Sequence, residues 1–341
     1  MAQPPVELIG SHPHMVEVRK HIARIARSEV GFVLIYGETG TGKGIVARLI
    51  HQQSKRAKAP FIDVNCAAIP GTLMESELFG HVKGAFTGAG ATKPGLLSAA
   101  NGGTLFLDEI PELELSLQSK LLTVLDSQQY RPVGSVKPLA ANVRFVAATN
   151  KVLFHEVRAK RFRDDLYYRL LVVTINMPPL RTRGDDIFEL TDYFLDRFSR
   201  RYGRVVRGVE PAVRDVFRQY RWPGNVRQLQ NVIERIFLIE DDDQILMKHI
   251  PPRILLELNR GYQSAAPWLE DDVPTPIQPD VASGPVDFHA EVTKFKRTLL
   301  SKAFAESGGN ISEAARRLAL SRHAFRHYWL TLKEPAPRRR S

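Results

Sequence analysis

Apolar residues in this chain gather in short, unbroken runs separated by longer mixed stretches. Phe32-Val33-Leu34-Ile35-Tyr36, Thr104-Leu105-Phe106-Leu107 and Val143-Arg144-Phe145-Val146-Ala147-Ala148 are rich in β-formers and lack polar alternation. Such runs predict parallel strands buried on both faces. Phe61-Ile62-Asp63-Val64-Asn65-Cys66 predicts a further strand ended by Asn65. Between these runs the apolar positions change to helical spacing. Val16, Val18, Ile22 and Ile25 mark a helix within Val6–Ser28, and helices are also expected over Ile45–Gln52 and Thr72–Gly80. Leu117, Leu121, Leu122, Val124 and Leu125 give another its apolar face. Strands alternating with helices predict an α/β open sheet with ligands at the strands' carboxyl ends.

Pro178-Pro179-Leu180 closes this pattern. Beyond it the spacing is helical over Ile187–Tyr202 and Pro211–Tyr220. A tight turn follows at Trp222-Pro223-Gly224, with Asn225 expected to cap the next helix. Arg227 falls near the start of that helix, within possible reach of a nucleotide. Pro267, Pro274, Pro276, Pro279 and Pro285 among Ser, Asp and Gln mark a linker, in which Trp268 stands as a lone aromatic. The remainder predicts a small all-helical unit. Phe288, Val292, Phe295, Leu299 and Ala303 recur at helical spacing, Gly308-Gly309-Asn310 makes a turn, and Ser312–Leu318 is a short helix. Ser321 is expected to cap a final helix whose Phe325, Trp329 and Leu332 share one face. The expected organisation is an α/β part over 1–176, a helical part over 177–252, a linker over 253–285, a helical unit over 286–334 and a basic tail over 335–341.

The strand at Phe32 runs into Gly37-Glu38-Thr39-Gly40-Thr41-Gly42-Lys43-Gly44, which fits the GxxxxGK phosphate-binding loop. Its glycines let backbone N–H groups turn inward around phosphates, Lys43 adds a point charge, and the following helix presents its positive end. The pattern carries a hydroxyl residue after the lysine, whereas Gly44 stands here, so Mg²⁺ must lean on phosphates, water and another residue. Asp108-Glu109, 65 positions after Lys43, end a buried strand. Asp108 suits Mg²⁺, directly or through water, and Glu109 suits the polarisation of an attacking water. Thr149 and Asn150 end another strand and are placed to sense a γ-phosphate. Arg163 and Arg169 lie six apart. Spacing leaves two readings open for them: a solvated, ion-paired helix face, or fingers reaching a neighbouring subunit's phosphate.

Between the two halves of this site lies Gly84-Ala85-Phe86-Thr87-Gly88-Ala89, one aromatic among small residues. In isolation it reads as a surface loop whose Phe tucks back onto the body. Flanked by phosphate-binding and acidic motifs, it reads as the moving tip of an ATP-driven machine.

Composition narrows the class. No apolar stretch is long enough for a membrane span, and the start lacks a signal peptide's regions. The single cysteine, Cys66, excludes an intrachain disulfide framework and a Cys-rich zinc site, and is expected to be a buried apolar residue. The cytosol is the expected location. Of the net charge of +11, Val286–Ser341 carries +7, from 12 Lys and Arg against 5 Asp and Glu. Such a balance suits nucleic acid, or a solubilising tail. In the last helix Arg322, His323, Arg326 and His327 fall largely off the apolar face, where a helix-turn-helix presents groups to a major groove. Arg338-Arg339-Arg340 adds unspecific phosphate attraction.

Together these motifs resemble the sigma-54-dependent transcription activators, bacterial enhancer-binding proteins of the AAA+ class. The matching residues are GETGTGK at Gly37–Lys43, GAFTGA at Gly84–Ala89, GGTLFLDE at Gly102–Glu109, FRDDLYYRL at Phe162–Leu170, PPLRTR at Pro178–Arg183 and WPGNVRQL at Trp222–Leu229. The resemblance covers roughly residues 7 to 252. The tail resembles the Fis-type DNA-binding domain that ends the same family.

The resemblance implies an AAA+ P-loop sheet with a helical lid and a helix-turn-helix domain, ATP and Mg²⁺ as cofactors, and ATP hydrolysis coupled to remodelling of sigma-54 RNA polymerase through the GAFTGA loop. It makes Arg163 and Arg169 intersubunit fingers, Arg227 a second sensor, and Asn65 the link from nucleotide state to Glu109. It implies assembly from dimer to hexameric ring, binding to double-stranded DNA upstream of the promoter, and a nucleoid-associated place in the bacterial cytoplasm. The ATPase pattern begins almost at Met1, which leads us to expect no receiver or ligand-sensing domain in front, and control by expression level or a trans-acting regulatory protein.

The sequence departs from the family's habit at Gly44, where Glu is common, at Gly95-Leu96-Leu97-Ser98, where the family reads Gly-x-Phe-Glu, at Leu171, where Asn is usual, and at Ala319, where the turn has Gly. Two rivals follow from the same residues. A general AAA+ remodeller shares the ATP chemistry but predicts neither GAFTGA nor the tail. A DNA-binding regulator with a decayed ATPase is suggested by Gly44 and Ser98. ATP turnover separates these two.

Overall fold

A computed structural model of the chain describes residues 7–259 and, further on, Arg297, Leu300, Ser301, Ala303, Phe304, Ser307, Gly308, 310–318, Phe325 and Trp329. Two units are distinguished, with a division between Ala265 and Ala266.

In the first unit, helix α1 (Pro13–Arg27) precedes strand β1 (Phe32–Tyr36), and α2 (Lys43–Gln52) leads to β2 (Phe61–Asn65). Helix α3 (Gly71–Phe79) enters a ribbon of β3 (Gly80–His81) and β4 (Lys93–Pro94), followed by α4 (Leu96–Ala99) and β5 (Thr104–Asp108). Helix α5 (Leu115–Ser127) leads into a second ribbon, β6 (Gln129–Tyr130) with β7 (Leu139–Ala140). Then come β8 (Arg144–Thr149), α6 (Leu153–Arg158), α7 (Asp164–Leu170) and β9 (Thr174–Asn176). The five long strands form one parallel sheet in the order β2-β5-β8-β1-β9.

The unbroken apolar runs are explained by burial on both faces. Successive side chains on a strand point to opposite sides. Phe32, Leu34, Leu105, Leu107, Phe145 and Ala147 face one core, with α3, α5 and α7. Val33, Ile35, Phe106, Val146 and Ala148 face the other, with α1 and α2. Cys66 is buried in the first core, where burial pushes its thiol up to about 12.

The helical part holds α8 (Asp186–Tyr202), α9 (Pro211–Gln219), α10 (Asn225–Ile239) and α11 (Pro252–Asn259) around a third core. Phe198, Phe217 and Trp222 are its largest fully buried members, and the Trp222 indole donates to Phe217 O at 2.8 Å. Residues 253–259, expected to open the linker, belong to helix Pro252–Asn259, and Ile254 is buried in this core. Apolar residues at 254, 255 and 258 join that core, so the helical packing continues where the sequence reading ended it. Residues 260–285, the rest of the expected linker, lie outside the described residues.

In the second unit, α12 (Ile311–Arg317) is capped by Asn310, whose side-chain oxygen accepts from Ser312 N and Glu313 N. Leu300, Ala303, Ala314, Ala315 and Phe325 form its buried core, and Trp329 stacks on Phe325 with ring centres 5.9 Å apart. Gly308 has φ +57°, as the expected turn requires. Ser321, Arg322, His323, Arg326 and His327, the candidate DNA-contacting residues, lie outside the described residues, as does the basic tail.

Two glycines in the first unit differ in kind. A Cβ on Gly103 would stand 1.9 Å from Pro60 O, whereas one on Gly44 would meet only Phe106 Cε1 at 3.8 Å. Gly103→Ala should therefore cost about 1–3 kcal/mol through displaced backbone. Gly44→Ala should stabilise by up to about 1 kcal/mol through helix propensity. Urea-unfolding midpoints of the two variants should move in opposite directions.

Candidate functional site

Parallel pairing brings the carboxyl ends of four strands into line. Tyr36 pairs with Thr149, Asp108 with Ala148, and Asn65 with Asp108. The P-loop leaves β1 at this edge. Gly40 and Gly42 take φ of +78° and +102°, which admits the loop's inward turn and starts α2 at Lys43. Lys43 is buried, and its ammonium donates to Gly37 O at 2.8 Å and lies 4.0 Å from Glu109 Oε1. Burial pushes its pKa down, against the opposing pull of Glu109 and Asp108. A cation held partly out of water beside two carboxylates and a helix N-terminus is suited to a polyphosphate.

The two acids diverge. Asp108 ends β5, and one of its oxygens accepts from Glu109 N at 3.2 Å. Glu109 lies beyond the strand in the left-handed region (φ +54°), a conformation uncommon for a non-glycine residue. That turn sends its carboxylate towards Lys43 and towards Asn150 N, 3.4 Å away. Asn150 in turn donates from Nδ2 to Thr39 Oγ1 at 2.9 Å, so it bridges P-loop and acid. Thr149 differs: its buried hydroxyl is engaged with the main chain of Lys151, and only its carbonyl reaches the loop, accepting from Gly37 N. Asn65 stands beside Asp108, but its side-chain oxygen accepts from Ala67 N, and among the described residues no bond joins it to Glu109.

Arg163 and Arg169 are not brought to the P-loop of their own chain. Arg163 forms two bonds to Asp165, at 2.9 and 2.6 Å, and Arg169 pairs with Asp126 at 3.0 Å. Both are surface ion pairs, open to solvent. The backbone of Arg163 is nonetheless fixed: its N–H donates to Gln118 Oε1 at 2.8 Å, and the buried Gln118 amide donates to Leu113 O and Arg161 O.

The helical part closes over the loop from the other side. Arg181 grips Glu38 with two bonds at 2.6 and 2.8 Å and holds its carboxyl below the usual carboxylate range. Asn225 was expected to cap α10. It is instead the first residue of that helix, fully buried, with φ +49°. Its Oδ1 accepts from Leu180 N at 2.8 Å, and its Nδ2 donates to Thr39 O at 3.0 Å and Glu38 Oε2 at 3.2 Å. The amide joins two segments, and at the first helical position, with Gly224 before it, the side chain makes no cap bond. Arg227 N donates to Gly40 O at 3.3 Å, with its side chain exposed. Buried Arg183 donates to Thr41 O at 3.1 Å, and burial pushes its pKa down to about 10. Gly40 permits this approach, since a Cβ there would stand 2.2 Å from Gly224 O.

Gly84–Ala89 projects from the β3–β4 ribbon as a closed loop, with Gly84 N donating to Ala89 O at 2.9 Å. Gly84 and Gly88 have φ of +81° and +102°. Phe86 is 43% exposed and rests edge-on against His81, ring centres 5.0 Å apart. His81 is bonded through Nδ1 to Ser76 Oγ on α3. Gly134 of the second ribbon's loop lies against Ala85. Ser98 is an exposed residue of α4.

One other group of metal-type ligands lies close together among the described residues, Glu240, Asp242 and His249. Leu246 N donates to His249 Nδ1, so the ring proton sits on Nε2, which donates to Asp242 at 2.9 Å; Lys248 shares that carboxylate. The imidazole has no lone pair left for a cation, and the group locks its loop.

The Sigma-54 interaction domain profile matches residues 8–176, and the AAA+ ATPase lid domain profile matches 181–266. The chain is 39% identical over 319 residues to the regulatory protein AtoC of Escherichia coli, covering 93% of this chain and 66% of AtoC. It is 48% identical over 244 residues to the regulatory protein LuxO of Vibrio cholerae, covering 72% of this chain and 53% of LuxO. A crystal structure of NtrX from Brucella abortus in complex with ATP matches with a TM-score of 0.70 at 30% identity, over 96% of this chain and 69% of NtrX. The chain belongs to the sigma-54 interaction family of AAA+ proteins. It spans about two-thirds of AtoC and about half of LuxO.

The sigma-54 interaction region contains both halves of the site and the GAFTGA loop, and the lid region runs past residue 252, in keeping with α11. Arg181, Arg183 and Asn225 are the residues at this family member's site that sequence reasoning missed. Their signal was the PPLRTR and WPGNVRQL strings themselves; no spacing rule pairs them with a loop some 140 and more positions earlier. Asn225→Ala would forfeit three hydrogen bonds and keep a left-handed backbone. About 2–4 kcal/mol should be lost, read as a lower urea-unfolding midpoint.

Proposed function

We propose that this chain is an ATP-hydrolysing activator that remodels sigma-54 RNA polymerase through the loop at Gly84–Ala89. The observation that carries the reading is the convergence of Lys43, Asp108, Glu109 and Asn150 at one sheet edge, in a region matched by the sigma-54 interaction domain that also contains the loop. NtrX, of the same fold, has been crystallised with ATP.

ATP lies along Gly37–Gly44, its phosphates held by loop N–H groups and Lys43, with Arg227 on the lid side. Mg²⁺ would be held by Asp108 with phosphate oxygens and water: the aspartate is a hard oxygen donor with one oxygen already oriented by Glu109 N–H, and Gly44 supplies no hydroxyl. When bound, the ion withdraws charge from the phosphates. Glu109 accepts a proton from the water that attacks the γ-phosphorus. The bond to the bridging oxygen breaks, leaving ADP and phosphate. Asn150 keeps Glu109 and Thr39 in register. Arg163 and Arg169 of a neighbouring copy stabilise the developing charge after leaving Asp165 and Asp126. Asn65 and Thr149 act from the strand ends. Phe86 is the contact to sigma-54, and the glycines on either side let it move from its seat on His81.

These contacts need neighbouring copies of the chain, and the family resemblance makes the assembly a hexameric ring. Its DNA attachment is the C-terminal unit, supported by the net +7 of Val286–Ser341 and the Asn310-capped helix. The partners are then upstream double-stranded DNA, sigma-54 polymerase and other copies of the chain, with a trans-acting protein as a candidate regulator. No helix among the described residues is long and apolar enough to cross a membrane.

Glu109→Gln should lower steady-state ATP turnover by about 100-fold or more while equilibrium ATP binding persists. Turnover near the parent rate would remove Glu109 from the reaction. Phe86→Ala should abolish open-complex formation at a sigma-54 promoter with ATP turnover largely kept. Normal open-complex formation by that variant would overturn the loop's assignment.

A further inference from the structure

Four consecutive P-loop residues are bonded to the helical part: Glu38 to Arg181 and Asn225, Thr39 O to Asn225, Gly40 O to Arg227 N, and Thr41 O to Arg183. Three of these contacts engage carbonyls, which turn away from a bound phosphate in any case. The fourth engages a charge. Glu38 is the only acid within Gly37–Lys43. A phosphate-binding loop works through N–H groups and cations, and a free carboxylate among them opposes the ligand. Here Arg181 cancels that charge with a bidentate pair, and Asn225 holds the same carboxylate from the buried side. The pair borders a cleft of about 990 Å³ that Thr39, Asn150, Lys151 and Arg221 also line. Both side chains are 41% exposed, so solvent and salt reach the pair.

We infer that Arg181 is a positioning residue of the nucleotide site that acts through Glu38, neutralising the P-loop's own carboxylate and turning it onto the lid. Affinity for nucleotide then depends on the lid being seated. Displacement of the 180–183 segment would release a negative charge next to the phosphates and favour their departure. The inference rests on the nucleotide-binding reading above and adds a control to it.

The test is equilibrium binding of a fluorescent ATP analogue to the full chain, its Arg181→Ala and Glu38→Gln variants, and the double variant, at low and raised salt. Arg181→Ala should weaken binding by roughly three- to tenfold at low salt, less at high salt. Glu38→Gln should bind at least as tightly as the parent. The double variant should regain most of what Arg181→Ala lost, which a merely structural ion pair would not produce. A double variant as weak as Arg181→Ala, or an Arg181→Ala variant that binds like the parent, overturns the inference. Failure of the parent itself to bind overturns the nucleotide-binding reading and the inference with it, whereas parent binding without this rescue overturns the inference alone.

Discussion

Everything at the candidate site depends on the parallel register of β1, β8, β5 and β2. Hydrogen bonding between neighbouring strands leaves no freedom along their length, so Tyr36, Thr149, Asp108 and Asn65 must end on one edge. The register is itself held by burial: alternate residues of each central strand enter two different cores, and a slip of one position would exchange them. The chemistry at the edge is thus placed by apolar residues that never touch it.

On that edge, short range and long range divide the work. Gly40, Gly42 and Glu109 use left-handed backbone to turn N–H groups and a carboxylate inward. The lid then supplies what the loop cannot. Loop carbonyls need donors and Glu38 needs a cation, and Asn225, Arg183, Arg227 N and Arg181 meet those needs. An unmet buried carbonyl would cost more than the ordering of these side chains. The left-handed conformation of Asn225 persists because three bonds over-determine it.

The Gly84–Ala89 loop has the opposite character. No Cβ added at Gly84 or Gly88 would meet anything, and Phe86 keeps one aromatic neighbour, His81. Few packing contacts and free space suit a segment that exchanges its own seat for a partner, the property the proposed function requires.

The sequence by itself determined four of the five sheet strands, most of the longer helices, the P-loop, the acidic strand end and the loop, because each is written in local periodicity or in a motif shorter than one element; the three-residue β9, the two ribbons, α4 and α6 are too short to carry such a signal. It also determined family membership through those strings. It misjudged Asn225 and stopped the helical part at residue 252, since a buried amide's partners and the last turn of a core are set by neighbours far along the chain. Only the tertiary structure decided that Asn150 bridges Thr39 and Glu109, that Thr149 faces its own loop, and that Arg181 cancels Glu38. These are contacts across 41 to 143 positions, or a choice of rotamer within one strand end. Distance in sequence carries no information about them, whereas packing against a common edge leaves each side chain few partners.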